Sequence, residues 1–241
     1  MTLALNPNDP NVVMLEVVAR RLGPQLCGQF AFVGGAVAGL LITDPAYPAI
    51  RSTEDVGIVA EVLVLSGYQR IEADLQERGF THDIRADAPI CRWRVEGVTV
   101  DVMPTLEGIL GFSNRWYPLC VSTAQPLALP SGVEIRVIQA PVFIATKLEA
   151  FHGRGRGDYL FSHDLGDILS VVDGRESLLD ECRQMPNELQ AYLAEQFSAL
   201  LADRRFRDAL PGHLPGDAMS QSRLPELEAT LHRIVNLSSD T

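Results

Sequence analysis

Long apolar runs are missing from this sequence of 241 residues. The longest, residues 30–42, is interrupted by three glycines and is too short to cross a bilayer as a helix. The first ten residues lack the basic segment followed by an apolar segment that marks a secretory signal. No repeat period is present, which excludes collagen and coiled coils. These absences predict a soluble, cytoplasmic protein that does not engage a membrane.

Cysteine is also scarce, with four residues and no C-x-x-C pair. Without an export signal we expect reduced thiols, and the spacing does not favour a zinc site. Basic residues number 20 against 31 acidic ones, for a net charge of −11. This balance argues against broad nucleic-acid binding, although it leaves room for a local basic site. The hydrophobic fraction of 46% excludes global disorder.

Hydrophobic periodicity predicts two differently built parts of the chain. The first, residues 1–140, mixes both element types: helices over 11–22, 36–42 and 66–78, strands over 30–33, 56–59 and 133–138, and a hairpin of strands 92–95 and 98–103 with a Glu96-Gly97 turn. The second, residues 141–241, reads as helical over 141–151, 163–173, 175–184, 186–203 and 222–236. The predicted class is α/β (α+β), with a mixed sheet flanked by helices and a helical C-terminal subdomain.

Three features in the first part indicate phosphate and cation chemistry. Gly34-Gly35 closes a strand and opens a helix, which leaves backbone N–H groups free to bind phosphate. Asp55 follows at the start of the next strand, and Asp101 lies in a third strand between two valines. An aspartate in such a strand needs a counter-charge, a metal ion or solvent.

The order of these residues resembles the DNA polymerase β-like nucleotidyltransferase superfamily. It is most similar to the abortive-infection (AbiE-type) toxin nucleotidyltransferases and their uncharacterised bacterial relatives. The resemblance depends on the stretches FVGGAVAGLL, RSTEDVGIV and APVFIATKLEAFHGRGRGDYLFSHDLGDILSVVDGR, and it covers most of residues 30–175. It implies a nucleotidyltransferase fold with its functional residues in these stretches.

The resemblance also implies a division of roles. Asp55 and Asp101 would be catalytic and would bind Mg²⁺ or Mn²⁺, since two such ions organise this chemistry. The residues implied to contact the nucleotide are Gly34, Gly35, Thr53, Lys147, Arg154, Arg156, Asp164 and Asp167. The implied reaction moves a nucleoside monophosphate from an NTP to a hydroxyl on a tRNA, a protein or a small molecule. A toxin of this kind would have a cognate antitoxin as its partner.

One position departs from the family pattern. An acidic residue is expected two positions after Asp55, on the same strand face, and this sequence has Gly57 there. Glu54 is a poor substitute because adjacent strand residues point to opposite faces. The departure keeps open a non-catalytic nucleotide-binding or interaction protein that retains the fold.

Structural readings of the same residues also stay open. The two glycines can form a turn without a ligand, and Asp55 can cap a turn. Asp101 can pair with Arg92 or Arg94 across the hairpin. Lys147 can be a surface lysine, and the stretch containing Arg154 can be a solvated linker.

Overall fold

The computed structural model describes residues 5–62, 64–155 and 157–237. Within these, the chain divides into two compact units. One, called here the sheet unit, extends to Leu40 and resumes over Ala49–Gln139. The other, the helical unit, contains Leu41–Pro48 and the chain from Ala140 onward. The predicted boundary after residue 140 falls beside this division, whereas the grouping of Leu41–Pro48 with the helical unit has no signal in the sequence.

A seven-stranded mixed sheet forms the sheet unit, in the order β3-β4-β5-β2-β1-β7-β6. The strands are β1 (Phe30–Val33), β2 (Asp55–Ala60), β3 (Thr81–His82), β4 (Arg92–Val95), β5 (Val98–Pro104), β6 (Gln125–Ala128) and β7 (Glu134–Val137). The β2–β5 and β1–β7 pairs are parallel, and the others are antiparallel. The helices up to Gln139 are α1 (Pro10–Cys27), α2 (Gly35–Leu41), α3 (Leu65–Glu77), α4 (Glu107–Leu110) and α5 (Tyr117–Thr123). The predicted α/β class with a mixed sheet is confirmed.

The first helix shows how local signals set its ends. The Asp9 side chain accepts hydrogen bonds from the backbone N–H groups of Asn11 and Val12, which otherwise lack a partner at a helix start. The predicted stop after residue 22 is only partly right. Gly23 is non-helical, with φ 73° and ψ 167°, and the chain then continues as helix from Pro24 to Cys27. A proline fits there because its missing N–H is not needed in a first turn.

The hairpin between β4 and β5 forms as predicted. Glu96 and Gly97 have φ of 47° and 84°, and positive φ at both central residues is typical of a tight turn between twisted strands. The turn aligns Val95 with Val98 and Arg92 with Asp101. The register of the β4–β5 pair therefore follows from a two-residue turn.

The helical unit is built around a buried helix. Its elements are α6 (Ala140–Arg154), α7 (His163–Gly174), α8 (Leu178–Arg183), α9 (Asn187–Ala202), α10 (Arg204–Ala209), a 3-10 turn (Leu210–His213), α11 (Ala218–Gln221) and α12 (Leu224–Val235). Every residue of α6 from Ala140 to Leu148 is buried, and α6 contacts α7, α8 and α9. A helix that is buried on all sides needs partners on several sides, and these helices provide them.

The longer helices predicted for the helical unit are confirmed. The elements that were not predicted include β3, β6, α4 and α5 of the sheet unit and α10 and α11 of the helical unit. These six elements have at most seven residues each, and none of them is an unbroken apolar run like β1. Cys27, Cys91, Cys120 and Cys182 are buried free thiols. In the part of the chain that the structure describes, no helix is both long and apolar enough to span a membrane.

Candidate functional site

Strand register puts the two predicted carboxylates on one face of the sheet. β2 and β5 run parallel, with Asp55 opposite Thr99 and Gly57 opposite Asp101. Directly opposed residues project to the same face, and so do residues two apart on one strand. Asp55 and Asp101 therefore lie on neighbouring strands and share a face, one step apart along the strand direction.

The predicted glycine turn lies beside these strands. β1 runs antiparallel to β2, with Val33 opposite Gly57. Gly34 follows with φ 77°, a conformation that side chains disfavour, and α2 begins at Gly35. A Cβ atom added to Gly34 would lie 3.9 Å from the Gly57 nitrogen. The turn thus reaches the edge of the sheet at which β2 begins with Asp55.

Arg92 holds the Asp101 carboxylate. Its Nε donates to Oδ1 and its Nη2 to Oδ2, both at 2.8 Å, and the Asp101 side chain is mostly buried. Nη2 also lies 3.8 Å from Oδ2 of Asp55. The hydrogen bonds with Asp101 raise the pKa of Arg92, so the guanidinium remains charged. Of the two arginines considered as partners for Asp101, the structure selects Arg92.

A buried asparagine organises the segment that leads into β2. The Asn11 side chain donates to the carbonyl of Arg51 at 3.1 Å and accepts from the Thr53 backbone N–H at 2.9 Å. The Thr53 hydroxyl in turn donates to Oδ1 of Asp55 at 3.0 Å. Sequence reasoning missed Asn11, because a polar residue near a helix start gives no sign that its side chain is buried and bonded to a distant segment.

Gly57, the residue that departs from the family pattern, is closely packed. A Cβ atom built there would lie 3.0 Å from Cγ2 of Val33, 3.3 Å from the Val33 carbonyl oxygen and 3.4 Å from Cε of Met103. Real Cβ atoms essentially never come closer than the first of these distances. Any side chain at this position, acidic or not, requires Val33 to move.

The side chains on this face can be compared with the needs of a magnesium centre. Mg²⁺ requires several oxygen ligands in nearly octahedral geometry. Asp55 and Asp101 supply the only carboxylates at the three expected acidic positions, and Arg92 occupies both oxygens of Asp101. Within the described ranges, no group of three or more His, Cys, Asp or Glu side chains could hold a metal ion. These residues do not fit the two-metal centre that the family resemblance implies.

Other residues expected to contact the nucleotide lie in the helical unit. Lys147, the only lysine of the chain, is 7% exposed on α6. Its Nζ donates to Oδ1 of Asp164 at 3.1 Å and to Oδ2 of Asp167 at 2.7 Å, and both aspartates are buried on α7. The expected placement of the two aspartates on one helix face is therefore observed, and they face a lysine.

A second cation completes this cluster. Arg154 donates to both carboxylate oxygens of Asp164 at 2.8 Å, although its own side chain is largely exposed. Burial acts to raise the pKa of Asp164, but the hydrogen bonds and charges of Arg154 and Lys147 outweigh it, so the pKa is lowered. Two carboxylates and two cations balance the charge of the cluster. Arg156, the other arginine predicted to bind the nucleotide, lies outside the described residues.

The predicted site residues thus form two groups. In the sheet unit the structure brings together Gly34, Gly35, Thr53, Asp55 and Asp101, and in the helical unit it brings together Lys147, Arg154, Asp164 and Asp167. Sequence reasoning missed how firmly Arg92 is paired within the first group.

Comparisons with known proteins found similarity to solved structures, but not to family models or curated proteins. No family model matches this chain, and no curated protein matches it. Among solved structures, it is similar to a protein from H. pylori provisionally named a nucleotidyltransferase, at 12% identity and a TM-score of 0.47, with 98% of this chain and 99% of that chain covered. It is also similar to JHP933 from Helicobacter pylori, at 13% identity and a TM-score of 0.42, with 95% and 94% covered.

Proposed function

We propose that this protein binds a nucleoside triphosphate in a nucleotidyltransferase-like manner, on the face of the sheet unit that carries Asp55 and Asp101. One observation carries the proposal: strand register brings the Gly34-Gly35 turn to the edge at which β2 presents Asp55. A glycine turn offers backbone N–H groups without an obstructing side chain, and such groups bind phosphate oxygens. Polar side chains beside the turn would orient the remainder of the nucleotide.

The geometry favours binding over group transfer. Arg92 engages both oxygens of Asp101, and Gly57 leaves no carboxylate between Asp101 and Val33 in this row of the sheet. Of the strand positions that would hold catalytic ions in the family that this chain resembles, Asp101 is thus in a salt bridge with Arg92 and position 57 is a glycine. A protein that retains nucleotide affinity without transfer is the simplest function for this set of residues.

Equilibrium binding of each of the four NTPs, measured by calorimetry on the full chain, tests this proposal. We expect one or more NTPs to bind and Gly34→Ala to weaken that binding, because the turn would lose its left-handed conformation. Gly132→Ala is the matched control, because Gly132 also has a positive φ, of 86°, in a turn of the sheet unit. Its backbone N–H donates to the carbonyl of Leu129 in that turn. Equal losses in both variants, or no binding by the unaltered chain, would contradict the proposal.

A specific observation also favours a second candidate, an NMP transferase. Asp55 and Asp101 lie on adjacent parallel strands and share a face, as two carboxylates acting on one substrate should. In this candidate, an NTP and Mg²⁺ or Mn²⁺ would be needed, and a hydroxyl on a tRNA, a protein or a small molecule would accept the NMP with release of pyrophosphate. A toxin role with a cognate antitoxin belongs to this candidate alone.

Label transfer from α-labelled NTPs in a cell lysate distinguishes the two functions. Transfer by the unaltered protein that is lost in Asp101→Ala would establish the transferase. Because a side chain at Gly57 meets Val33, the restored carboxylate is best tested both as Gly57→Asp and as Gly57→Asp with Val33→Ala. Transfer seen only in these variants would identify the natural protein as a binding protein derived from a transferase.

A further inference from the structure

A second arginine stands on the candidate ligand face of the sheet unit. On β4, Trp93 and Val95 are buried while Arg94 is exposed, so Arg94 shares the face of Arg92. Register places Arg94 opposite Thr99, and Thr99 lies opposite Asp55. Arg94, Thr99 and Asp55 therefore form one row across three strands.

The two arginines differ in their partners. Arg92 is committed to Asp101 through two hydrogen bonds. The Arg94 guanidinium makes no hydrogen bond or ion pair with any residue that the structure describes, and its backbone carbonyl accepts a bond from Thr81. Asp83 acts on Arg94 through charge alone, and its carboxylate accepts hydrogen bonds from Arg85. Those bonds lower the pKa of Asp83 to about 2, and Arg94 adds a smaller coulombic effect. Arg94 thus has a charge available for a ligand.

The charges on this face of the sheet favour a phosphate-binding role for Arg94. Without Arg94, the face would carry two carboxylates against one guanidinium and would repel a polyphosphate. With Arg94 the charges balance, and the added cation is exposed. The Gly34-Gly35 turn follows β1, which is three strand spacings from β4, about 14 Å. An arginine side chain together with a bound triphosphate can span that distance.

We infer that Arg94 is a phosphate-binding residue of the nucleotide site, which makes the triphosphate the recognised part of the ligand. This inference rests on the proposed nucleotide binding. A guanidinium donates two parallel hydrogen bonds to phosphate oxygens, a geometry that an ammonium group does not reproduce. Arg94 would hold the triphosphate from the β4 side while the Gly34-Gly35 turn holds it from the β1 side.

The test compares Arg94→Gln and Arg94→Lys with a matched control, Arg70→Gln. Arg70 is an exposed arginine of the sheet unit, on α3, without an ion pair among the described residues. Calorimetric titrations use the full chain with each NTP and with inorganic tripolyphosphate. We expect Arg94→Gln to weaken both kinds of ligand about 10- to 100-fold, Arg94→Lys to weaken them less, and Arg70→Gln to bind as the unaltered protein does. Thermal unfolding of each variant verifies that it is folded.

The outcomes separate this inference from the function on which it rests. Unaltered nucleotide affinity in Arg94→Gln would overturn the role of Arg94 and leave nucleotide binding intact. An equal loss in Arg70→Gln would also overturn it, because the effect would then be one of net charge. If the unaltered protein bound neither an NTP nor tripolyphosphate, the proposed function and this inference would both fail.

Discussion

Arg92 and Asp101 face each other directly across the β4–β5 pair and share two hydrogen bonds of 2.8 Å. Cross-strand pairs of opposite charge stabilise a sheet, and a bidentate arginine–carboxylate pair is the strongest form of such a contact. The pair also uses one acceptor site on each oxygen of a carboxylate that a catalytic metal ion would need. Its removal tests how much the pair contributes to the stability of the sheet.

Replacing Asp101 with asparagine should destabilise the protein by about 1–3 kcal/mol, because a partly buried guanidinium loses its charged acceptor. The free energy of unfolding in urea measures this loss. Asp74→Asn is the control, since Asp74 is exposed and lies 3.8 Å from Arg78 on a helix surface, where such a pair contributes about 0–1 kcal/mol. Equal effects of the two changes would show that the Arg92 contact contributes little to stability.

Gly57→Ala should also destabilise the protein, by about 1–3 kcal/mol, because the new methyl group would lie 3.0 Å from Cγ2 of Val33 and would force Val33 to shift. Gly108→Ala is the matched control, since an added Cβ there meets nothing within 4 Å, and we expect it to be neutral or stabilising by up to about 1 kcal/mol. Urea denaturation of both variants compares them. A neutral Gly57→Ala would mean that Val33 moves easily and that an acidic side chain could be accommodated.

The buried lysine gives a labelling prediction. Because Lys147 is the only lysine, an amine-reactive ester can modify only its side chain and the N-terminal amine. We expect Lys147 to stay unmodified in the folded protein and to react after denaturation, as read by mass spectrometry of peptides. Rapid modification in the folded state would contradict its enclosure by Asp164 and Asp167, and would favour a lysine open to phosphate.

Lys147→Met should destabilise the protein by about 3–5 kcal/mol, because two buried carboxylates would lose their shared cation. Adding Asp167→Asn to this variant should recover part of the loss, because Arg154 still balances Asp164 and only one negative charge is left in excess. The unfolding free energy in urea reports both effects. No recovery in the double variant would mean that the loss comes from packing around α6 and not from charge.

Acid should weaken the same cluster. A carboxyl whose pKa is lowered on folding stabilises the protein at pH values above its unfolded pKa, about 3.9, and this contribution disappears as pH falls through the folded pKa. Asp164 has such a lowered pKa. We therefore expect the unfolding free energy to fall below about pH 4.

Arg154→Gln tests the cause of that acid sensitivity. Removing this partner should make the fall shallower, by less than about 1 kcal/mol because Arg154 is largely exposed. Arg204→Gln, which removes an exposed partner of the exposed Asp208, is the control. It should leave the fall of the unfolding free energy at low pH unchanged. If the unfolding free energy of Arg154→Gln fell at low pH as it does in the unaltered protein, the Arg154–Asp164 pair would be excluded as a source of the pH dependence.

Much of the fold follows from local sequence. The apolar run Phe30–Val33, the Glu96-Gly97 turn and the apolar helix around Lys147 each indicate their element through residues only a few positions apart. The α/β class and the order of the longer elements were predictable for that reason. Short elements such as β6 and α4 were not, because one contains a proline and the other a glycine, and neither is an unbroken apolar run like Phe30–Val33.

The residues proposed for the candidate site could be named from the sequence, but their contacts could not. Sequence alone determined that Gly34, Asp55 and Asp101 occur at strand ends and in strands, and that Gly57 departs from the family pattern. Only the tertiary structure decided that Arg92 pairs with Asp101, that Val33 fills the space beside Gly57 and that Lys147 is enclosed by two aspartates. Strand register and helix packing join residues far apart in the chain, and one step of register changes every partner. Local patterns determine the elements, and long-range packing decides which charges meet.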